Sequence, residues 1–239
     1  MKISRNNKKK IRNLNIHCLG CFLVLSLALF ALSCTKPPVV VQTTLPEPEV
    51  AEQLEPEPEL TQLERWQQLV RENRYASIDQ KLLSVNEFFN RFDYIEDRYL
   101  WGVDDYWATL AETLNKSGGD CEDFTIAKYF TLRELNIPEE SMRLTYVFCA
   151  KNKKPHMVLT LLVDSSQEPL VLDTLNDHLF PVSRRSDLIP VYSFNSEGYW
   201  LVKNQKGWKS ERLGSAEKLS LWQGVLQRTI EEEATSSGS

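Results

Sequence analysis

The 239-residue sequence carries 28 lysine and arginine residues against 33 aspartate and glutamate residues. Six of the basic residues lie in residues 1–33, which contain no acid, so the rest of the chain has a formal charge of −11. A surface this acidic lacks the basic face that displaces counterions from nucleic acid, so we exclude nucleic acid as a partner. The length fits one medium-sized catalytic domain with appendages, and the sequence contains no solenoid or propeller repeat.

Residues 1–33 are typical of an export signal peptide. A basic stretch is followed by the apolar run LGCFLVLSLALFALS, and the small residues Ala31 and Ser33 stand before Cys34. The apolar run is shorter than the roughly 20 residues of a membrane-spanning helix, although an uncleaved anchor helix is the alternative. Either reading predicts that the rest of the chain leaves the cytoplasm.

The sequence ALSC at residues 31–34 resembles a bacterial lipobox, in which Cys34 would receive a lipid and become the mature N-terminus. Thr35 provides no acidic retention signal, so a lipoprotein would be tethered to the outer membrane. Ordinary signal-peptidase cleavage before Cys34 is the alternative. Residues 34–60 are rich in proline and glutamate and are predicted to form a disordered stalk, and residues 231–239 a disordered tail.

Between these segments, residues 61–230 are predicted to form the catalytic domain. Apolar residues recur at helical spacing in its first part, and Gly118 and Gly119 end the last of these patterns. The predicted helices cover residues 60–73, 77–92 and 104–117. A further helix is expected from about Cys121 to Asn136, with Asp120 as its N-cap and Pro138 just beyond its end.

After this helix the apolar period changes to two, which predicts β-strands. The predicted strands cover residues 143–150, 156–163, 169–175, 189–194 and 199–202, and a closing helix covers 215–233. Helices followed by an antiparallel sheet indicate an α+β domain.

Cys121 is predicted to lie in the first turn of its helix, within the segment SGGDCEDFTIAKYF. Unpaired N–H groups and the helix dipole stabilise a thiolate at this place, which favours a nucleophile. The alternative is that Asp120, Glu122 and Asp123 simply cap the helix and that the cysteine is a small filler. The three carboxylates also pose a problem for a nucleophile, because negative charge keeps a thiol protonated.

The hairpin formed by residues 156–175 brings a second functional pair together. If the strands join through Asp164 and Ser165, or through a four-residue variant of this turn, His156 lies opposite Asp173 on one face of the sheet. The carboxylate can then orient the imidazole. His178 is expected to be an ordinary residue of a loop.

A helix-start cysteine followed by a strand histidine and a strand aspartate is the chain order of papain-like and transglutaminase-like thiol enzymes. In this scheme Cys121 attacks a carbonyl, His156 transfers the proton, and Asp173 holds the imidazole tautomer. The backbone N–H of Cys121 is one candidate oxyanion donor. We therefore predict a papain/transglutaminase-like core with its nucleophile at a helix N-terminus.

The sequence also resembles the bacterial transglutaminase-like cysteine proteinases of the LapG type. The segments that carry this resemblance are GDCEDFTIAKYFTLRELNIPEESMRLTYV, HMVLTLLV, EPLVLDTLN, SRRSDLIPVYSFN and YWLV, which cover most of residues 100–202. By this resemblance the catalytic residues of the family fall on Cys121, His156 and Asp173. Its calcium-binding acids fall on Asp120 and Glu122, and Asp123 is expected to take part as well.

The resemblance implies a periplasmic endopeptidase that cleaves a large surface adhesin near its N-terminus, at a di-alanine site, and so releases it and promotes biofilm dispersal. It also implies control by a LapD-like inner-membrane receptor for cyclic di-GMP. A bound calcium ion would cancel the charge around Cys121, which explains why a nucleophile can lie among acids. In the alternative reading, the acids serve the helix dipole alone.

Two other functions remain open at this stage. A transglutaminase-type acyl transferase would form the same thioester but pass it to an amine. A tethered module that binds calcium or peptide would need no nucleophile. Cys149 is expected to be a buried strand residue, with a disulfide to Cys121 as the alternative in an oxidising compartment.

Overall fold

The computed structural model describes residues 59–162, 168–204 and 208–236. The predicted signal peptide, Cys34 and the stalk up to residue 58 lie outside the described residues, and so do residues 237–239 of the predicted tail. None of the described helices combines the length and the apolar character needed to cross a membrane.

Six α-helices are present in the described part of the chain. They are α1 (Gln62–Asn73), α2 (Ile78–Phe89), α3 (Asp97–Leu100), α4 (Leu110–Lys116), α5 (Cys121–Glu134) and α6 (Ser220–Ser236). The first begins at a capping box: Thr61 Oγ1 accepts from the Glu64 N–H at 3.2 Å, and Glu64 Oε2 accepts from the Thr61 N–H at 2.8 Å.

Several helix boundaries differ from the prediction: α2 ends at Phe89 instead of residue 92, and α6 begins at Ser220 instead of residue 215. The helix predicted over 104–117 begins only at Leu110, because the preceding N–H groups bond to distant carboxylates: Tyr106 donates to Asp97 Oδ2 at 2.6 Å and Ala108 to Asp123 Oδ1 at 2.8 Å. The disordered tail was predicted to begin at residue 231, but α6 continues through Ser236.

Seven strands of the described chain form one antiparallel sheet in the order β6, β5, β4, β3, β7, β8, β9. Their bounds are β3 (Met142–Cys149), β4 (Lys154–Leu161), β5 (Leu170–Asp173), β6 (Asn176–Pro181), β7 (Leu188–Phe194), β8 (Tyr199–Asn204) and β9 (Lys209–Gly214). The two-residue strands β1 (Asp93–Tyr94) and β2 (Gly118–Gly119) pair in parallel apart from it. The α+β prediction is confirmed.

The two edge strands, β6 and β9, were not predicted. β9 is mostly polar, and β6 has three polar residues followed by three apolar ones, so neither shows the apolar alternation that reveals a half-buried strand. The prediction that His178 lies in a loop is therefore wrong, since this exposed residue lies on β6.

The core lies between the sheet and the central helix α5, ten of whose residues are buried. Leu144 of β3, Leu159 of β4 and Leu172 of β5 belong to the same buried cluster as Ile126 of α5. The closing helix adds Trp222, which is fully buried. Because α5 is held by packing along its length, its first residue, Cys121, has a fixed position beside β4.

Candidate active site

Cys121 is the first residue of α5, as predicted, and Asp120 is its N-cap. The half-buried thiol donates a hydrogen bond to Oε2 of Glu122 at 2.9 Å. Gly119 precedes this turn, and a Cβ atom there would lie 2.6 Å from Oδ2 of Asp123. A residue without a side chain is needed at 119 because the chain passes so close to the helix start.

His156 and Asp173 form a buried pair, with Nε2 of the histidine 2.7 Å from Oδ1 of the aspartate. The predicted register of the hairpin was wrong, however. Leu159 lies opposite Leu172, a shift of two residues from the predicted alignment. A shift of two keeps each residue on its face of the sheet, so the pair survives as diagonal neighbours.

Asp173 has two further partners that the sequence analysis missed. Oδ1 accepts the Leu175 N–H at 3.0 Å, and Oδ2 accepts from Nη2 of Arg185 at 2.6 Å. Burial would raise the pKa of Asp173, but the hydrogen bond and charge of His156, with the bonds from Leu175 and Arg185, lower this pKa to about 2. The carboxylate is therefore ionised throughout the physiological range.

A cleft of about 600 Å³ contains both the thiol and the imidazole. Cys121, His156 and Met157 line it together with the aromatic residues Tyr146 and Tyr192, whose rings are stacked with centroids 5.1 Å apart. Cys121 and His156 therefore border the same cleft. Cys149 is buried, and both it and Cys121 are free thiols, so the disulfide alternative is not realised in this structure.

Carboxylates converge beside the thiol in a cluster larger than the predicted one. Ligand atoms of Asp97, Asp105 and Glu122 lie within 4.8 Å of one another, and so do those of Asp97, Asp120 and Asp123. Asp97 and Asp105 were missed because they lie more than ten residues before Cys121 in the sequence, and only the fold brings them to the helix start.

Two oxygens of this cluster are buried and lack a hydrogen-bond partner, namely Oδ1 of Asp97 and Oδ1 of Asp120. Burial, followed by the charge of Glu122, raises the pKa of Asp120 to about 10, and burial raises the pKa of Asp97 to about 6. Unpaired, crowded carboxylate oxygens are the ligands that a hard divalent cation prefers. The residues present therefore fit a calcium ion.

Asp123 makes a different set of contacts from Asp97 and Asp120. It is fully buried, and its two oxygens accept the N–H groups of Ala108, at 2.8 Å, and Asp120, at 3.3 Å. Burial raises its pKa to about 7. Asp123 thus joins the chain before α4 to the start of α5, and its predicted part in metal binding stays a prediction.

The surroundings of the thiol oppose its ionisation. Burial, the charge of Glu122 and the hydrogen bond to Glu122 together raise the pKa of Cys121 well above its ordinary value. The fold thus surrounds the thiol with acids that oppose its ionisation, as the sequence predicted.

Comparisons with known proteins agree with these features. A family model described as bacterial transglutaminase-like cysteine proteinase matches residues 57–206. A structure of Legionella pneumophila LapG is 37% identical, with a TM-score of 0.62, and the match covers 70% of this chain and 87% of that one. Its calcium-bound form is 38% identical (TM-score 0.62, 70% and 89% covered), and its EGTA-treated form is 38% identical (TM-score 0.63, 70% and 87% covered). A search of curated proteins gave no significant match.

A cysteine at the start of the central helix, with a strand histidine and its aspartate in the same region, defines a thiol enzyme of the transglutaminase-like class. The family model covers more than half of the chain, and the LapG structures share more than a third of its aligned residues. The chain belongs to the bacterial transglutaminase-like cysteine proteinases, and the predicted resemblance to the LapG type is confirmed.

Proposed function

We propose that this protein is a calcium-dependent cysteine endopeptidase with Cys121, His156 and Asp173 as its catalytic triad. The observation that carries the proposal is the 2.7 Å contact between His156 Nε2 and Asp173 Oδ1, beside a cleft that His156 and Cys121 both line. The pairing of Nε2 with the carboxylate leaves Nδ1 as the ring nitrogen that can exchange a proton with the thiol.

The roles follow from this arrangement. Nδ1 of His156 takes the proton of Cys121, and the sulfur attacks the scissile carbonyl carbon while the carbonyl oxygen becomes an oxyanion that the Cys121 N–H can stabilise. The C–N bond then breaks, the imidazolium gives its proton to the leaving amine, and a thioester remains. Water, deprotonated by His156, hydrolyses the thioester and restores the thiol.

Calcium would be held by carboxylate oxygens of Asp97, Asp120 and Glu122, with Asp105 and Asp123 next to them. The bound ion supplies positive charge that offsets these acids. Asp120 and Glu122 flank the nucleophile in sequence, so the same residues that bind the ion fix the first turn of α5. The alternative, in which the acids serve only the helix dipole, predicts an activity that is insensitive to chelation.

We also propose a biological setting for this activity, and the resemblance to the LapG type supports it. The substrate is the N-terminal region of a large surface adhesin, cut at a di-alanine site, and its release promotes biofilm dispersal. The protease acts in the periplasm, either soluble or tethered to the outer membrane through Cys34. A LapD-like receptor for cyclic di-GMP in the inner membrane sequesters it when the nucleotide is abundant.

The test is cleavage of the N-terminal region of a large adhesin from the same genome by the purified protein. We expect wild-type protein to cleave with calcium and to stop when a chelator is added, and Cys121→Ala to be inactive. The matched control is Cys149→Ala, which removes the other thiol of the domain and should leave cleavage intact. An added primary amine appearing in the product would identify an acyl transferase instead, and a Cys121→Ala protein that still releases adhesin from cells would identify a non-catalytic module.

A further inference from the structure

We propose that Arg185 is a positioning residue of this site, which holds the carboxylate of Asp173 in the orientation that presents one oxygen to His156. The inference rests on the proposed function, because it assigns a residue to the same triad. Arg185 is 4% exposed and Asp173 is 1% exposed, so their contact is shielded from water.

The contacts divide the two oxygens of Asp173 between different partners. Oδ1 accepts from the Leu175 N–H and faces Nε2 of His156, while Oδ2 accepts from Nη2 of Arg185 at 2.6 Å. A carboxylate that is bound at both oxygens cannot rotate about its Cβ–Cγ bond without breaking a charge-assisted hydrogen bond. Arg185 thus fixes the plane in which Asp173 meets the imidazole.

Arg185 is itself anchored from two directions. Its Nε and Nη2 donate to Oδ1 and Oδ2 of Asp187, at 3.0 and 2.9 Å, in a two-point contact. Its backbone N–H bonds to the Val182 carbonyl, and its own carbonyl accepts the Leu188 N–H at the start of β7. The guanidinium is therefore pre-organised and does not depend on Asp173 for its position.

The backbone at Asp173 is held by separate contacts. Nδ2 of Asn90, the C-cap of α2, donates to the Asp173 carbonyl at 3.0 Å and to Oδ1 of Asp177 at 2.8 Å. Loss of the guanidinium is expected to leave the turn between β5 and β6 in place while freeing the carboxylate. The consequence falls on His156, because only a fixed, ionised acceptor at Nε2 keeps the proton on that nitrogen and leaves Nδ1 for the thiol.

The test compares Arg185→Met with Arg184→Met in the full mature protein. Arg184 is the adjacent arginine, is exposed, and stacks on Phe180, so its variant removes the same charge from the same segment. The readout is the ring ¹⁵N spectrum of the histidines. His178, which is exposed on β6, serves as the internal reference.

We expect wild-type and Arg184→Met proteins to show His156 with its proton on Nε2 and protected from solvent exchange. Arg185→Met should show a mixture of tautomers with faster exchange, and its kcat should fall about 10- to 100-fold with little change in KM, the range for loss of a residue that orients another. Arg185→Lys keeps the positive charge but loses the two-point geometry of the guanidinium. Its kcat and its His156 tautomer ratio should lie between those of the wild-type protein and Arg185→Met. Added guanidinium should restore part of the activity of Arg185→Ala.

An unchanged His156 spectrum and unchanged kcat in folded Arg185→Met would overturn the inference. Loss of thermal stability with a wild-type spectrum would also overturn it, because the residue would then be merely structural. If the wild-type protein cleaves no peptide, the proposed function fails, but the tautomer comparison still decides the role of Arg185. If Arg185→Met does not fold, Arg185→Lys gives the same comparison with the charge retained.

Discussion

Nε2 of His156 lies 2.7 Å from Oδ1 of Asp173 across a diagonal of the β4–β5 hairpin, two residues away from direct opposition. The pair is buried, and the second oxygen of the aspartate is bound by Arg185. A diagonal contact depends on the side-chain orientation of both residues. Substitution of a residue that orients either side chain should therefore change the position and the tautomer of the imidazole.

Removal of the imidazole distinguishes the two histidines of the described chain. His156→Ala should lower kcat by about 10² to 10⁴-fold, the range for loss of a positioned general base. His178→Ala is the control, because His178 lies exposed on an edge strand. Steady-state cleavage of a peptide from the adhesin measures both. Equal activities of the two variants would show that His156 is not the base.

Calcium should stabilise the protein as well as activate it. The buried oxygens Oδ1 of Asp97 and Oδ1 of Asp120 have no hydrogen-bond partner to compensate for their burial. An ion that binds only the folded chain increases the free energy of unfolding by about 2.7 kcal/mol at a hundredfold excess over Kd, and the melting temperature rises with it. Scanning calorimetry with calcium and with EGTA measures this rise.

Asp97→Asn and Asp120→Asn should lose most of the calcium-dependent shift. Glu72→Gln, at an exposed acid of α1, should keep it. A melting temperature that does not respond to calcium in the wild-type protein would contradict the assignment of this cluster as a calcium site.

Lys128 is a buried lysine whose lowered pKa makes the stability of the protein depend on pH. Its Nζ donates to Oδ1 of Asn86 at 2.8 Å and to Oδ1 of Asn90 at 2.7 Å, and burial lowers its pKa from 10.5 to about 7. Between these pH values the unfolded chain binds a proton that the folded chain does not. The free energy of unfolding therefore rises with pH in this window, by about 1.4 kcal/mol per pH unit at most.

Urea denaturation from pH 7 to 10, compared with Lys128→Met, isolates this contribution from other groups. The stability of the wild-type protein relative to the variant should increase as the pH rises. A difference between the two proteins that stays constant with pH would mean that Lys128 is charged in the folded state throughout.

Gly119→Ala tests the close approach at the start of α5. The added Cβ would lie 2.6 Å from Oδ2 of Asp123, so the turn that carries Cys121 must shift, at a cost of about 1–3 kcal/mol. Both the melting temperature and kcat should fall. Gly224→Ala is the control: it lies in α6, where the added atom meets only the flexible end of Arg228 at 3.3 Å and alanine favours the helix. Equal changes in melting temperature and kcat for the two variants would show that the close approach at Gly119 does not position the start of α5.

Local patterns were enough to predict the helices that frame the site. Asp120 and Cys121 stand where an N-cap and a first helical residue are expected, and the β-branched and aromatic residues of β3 favour a strand. His156 and Asp173 were placed on one face of the β4–β5 hairpin by assuming an even connecting loop. The exact register did not follow, because the length of a connecting loop is not encoded in the strand pattern.

The sequence by itself determined the α+β class and the place of Cys121 at a helix start, since these depend on residues close together in the chain. The shared face of His156 and Asp173 followed only if the connecting loop was even, and the structure shows that face with the register shifted by two residues. Only the tertiary structure decided that Asp97 reaches the acids beside Cys121 and that Arg185 binds Asp173. These contacts join separate elements of the fold. The position of a charged residue in the sequence does not indicate which distant residue it will contact. Their positions are set by the packing of the apolar core, which places the helix start, the sheet and the connecting turns within reach of one another.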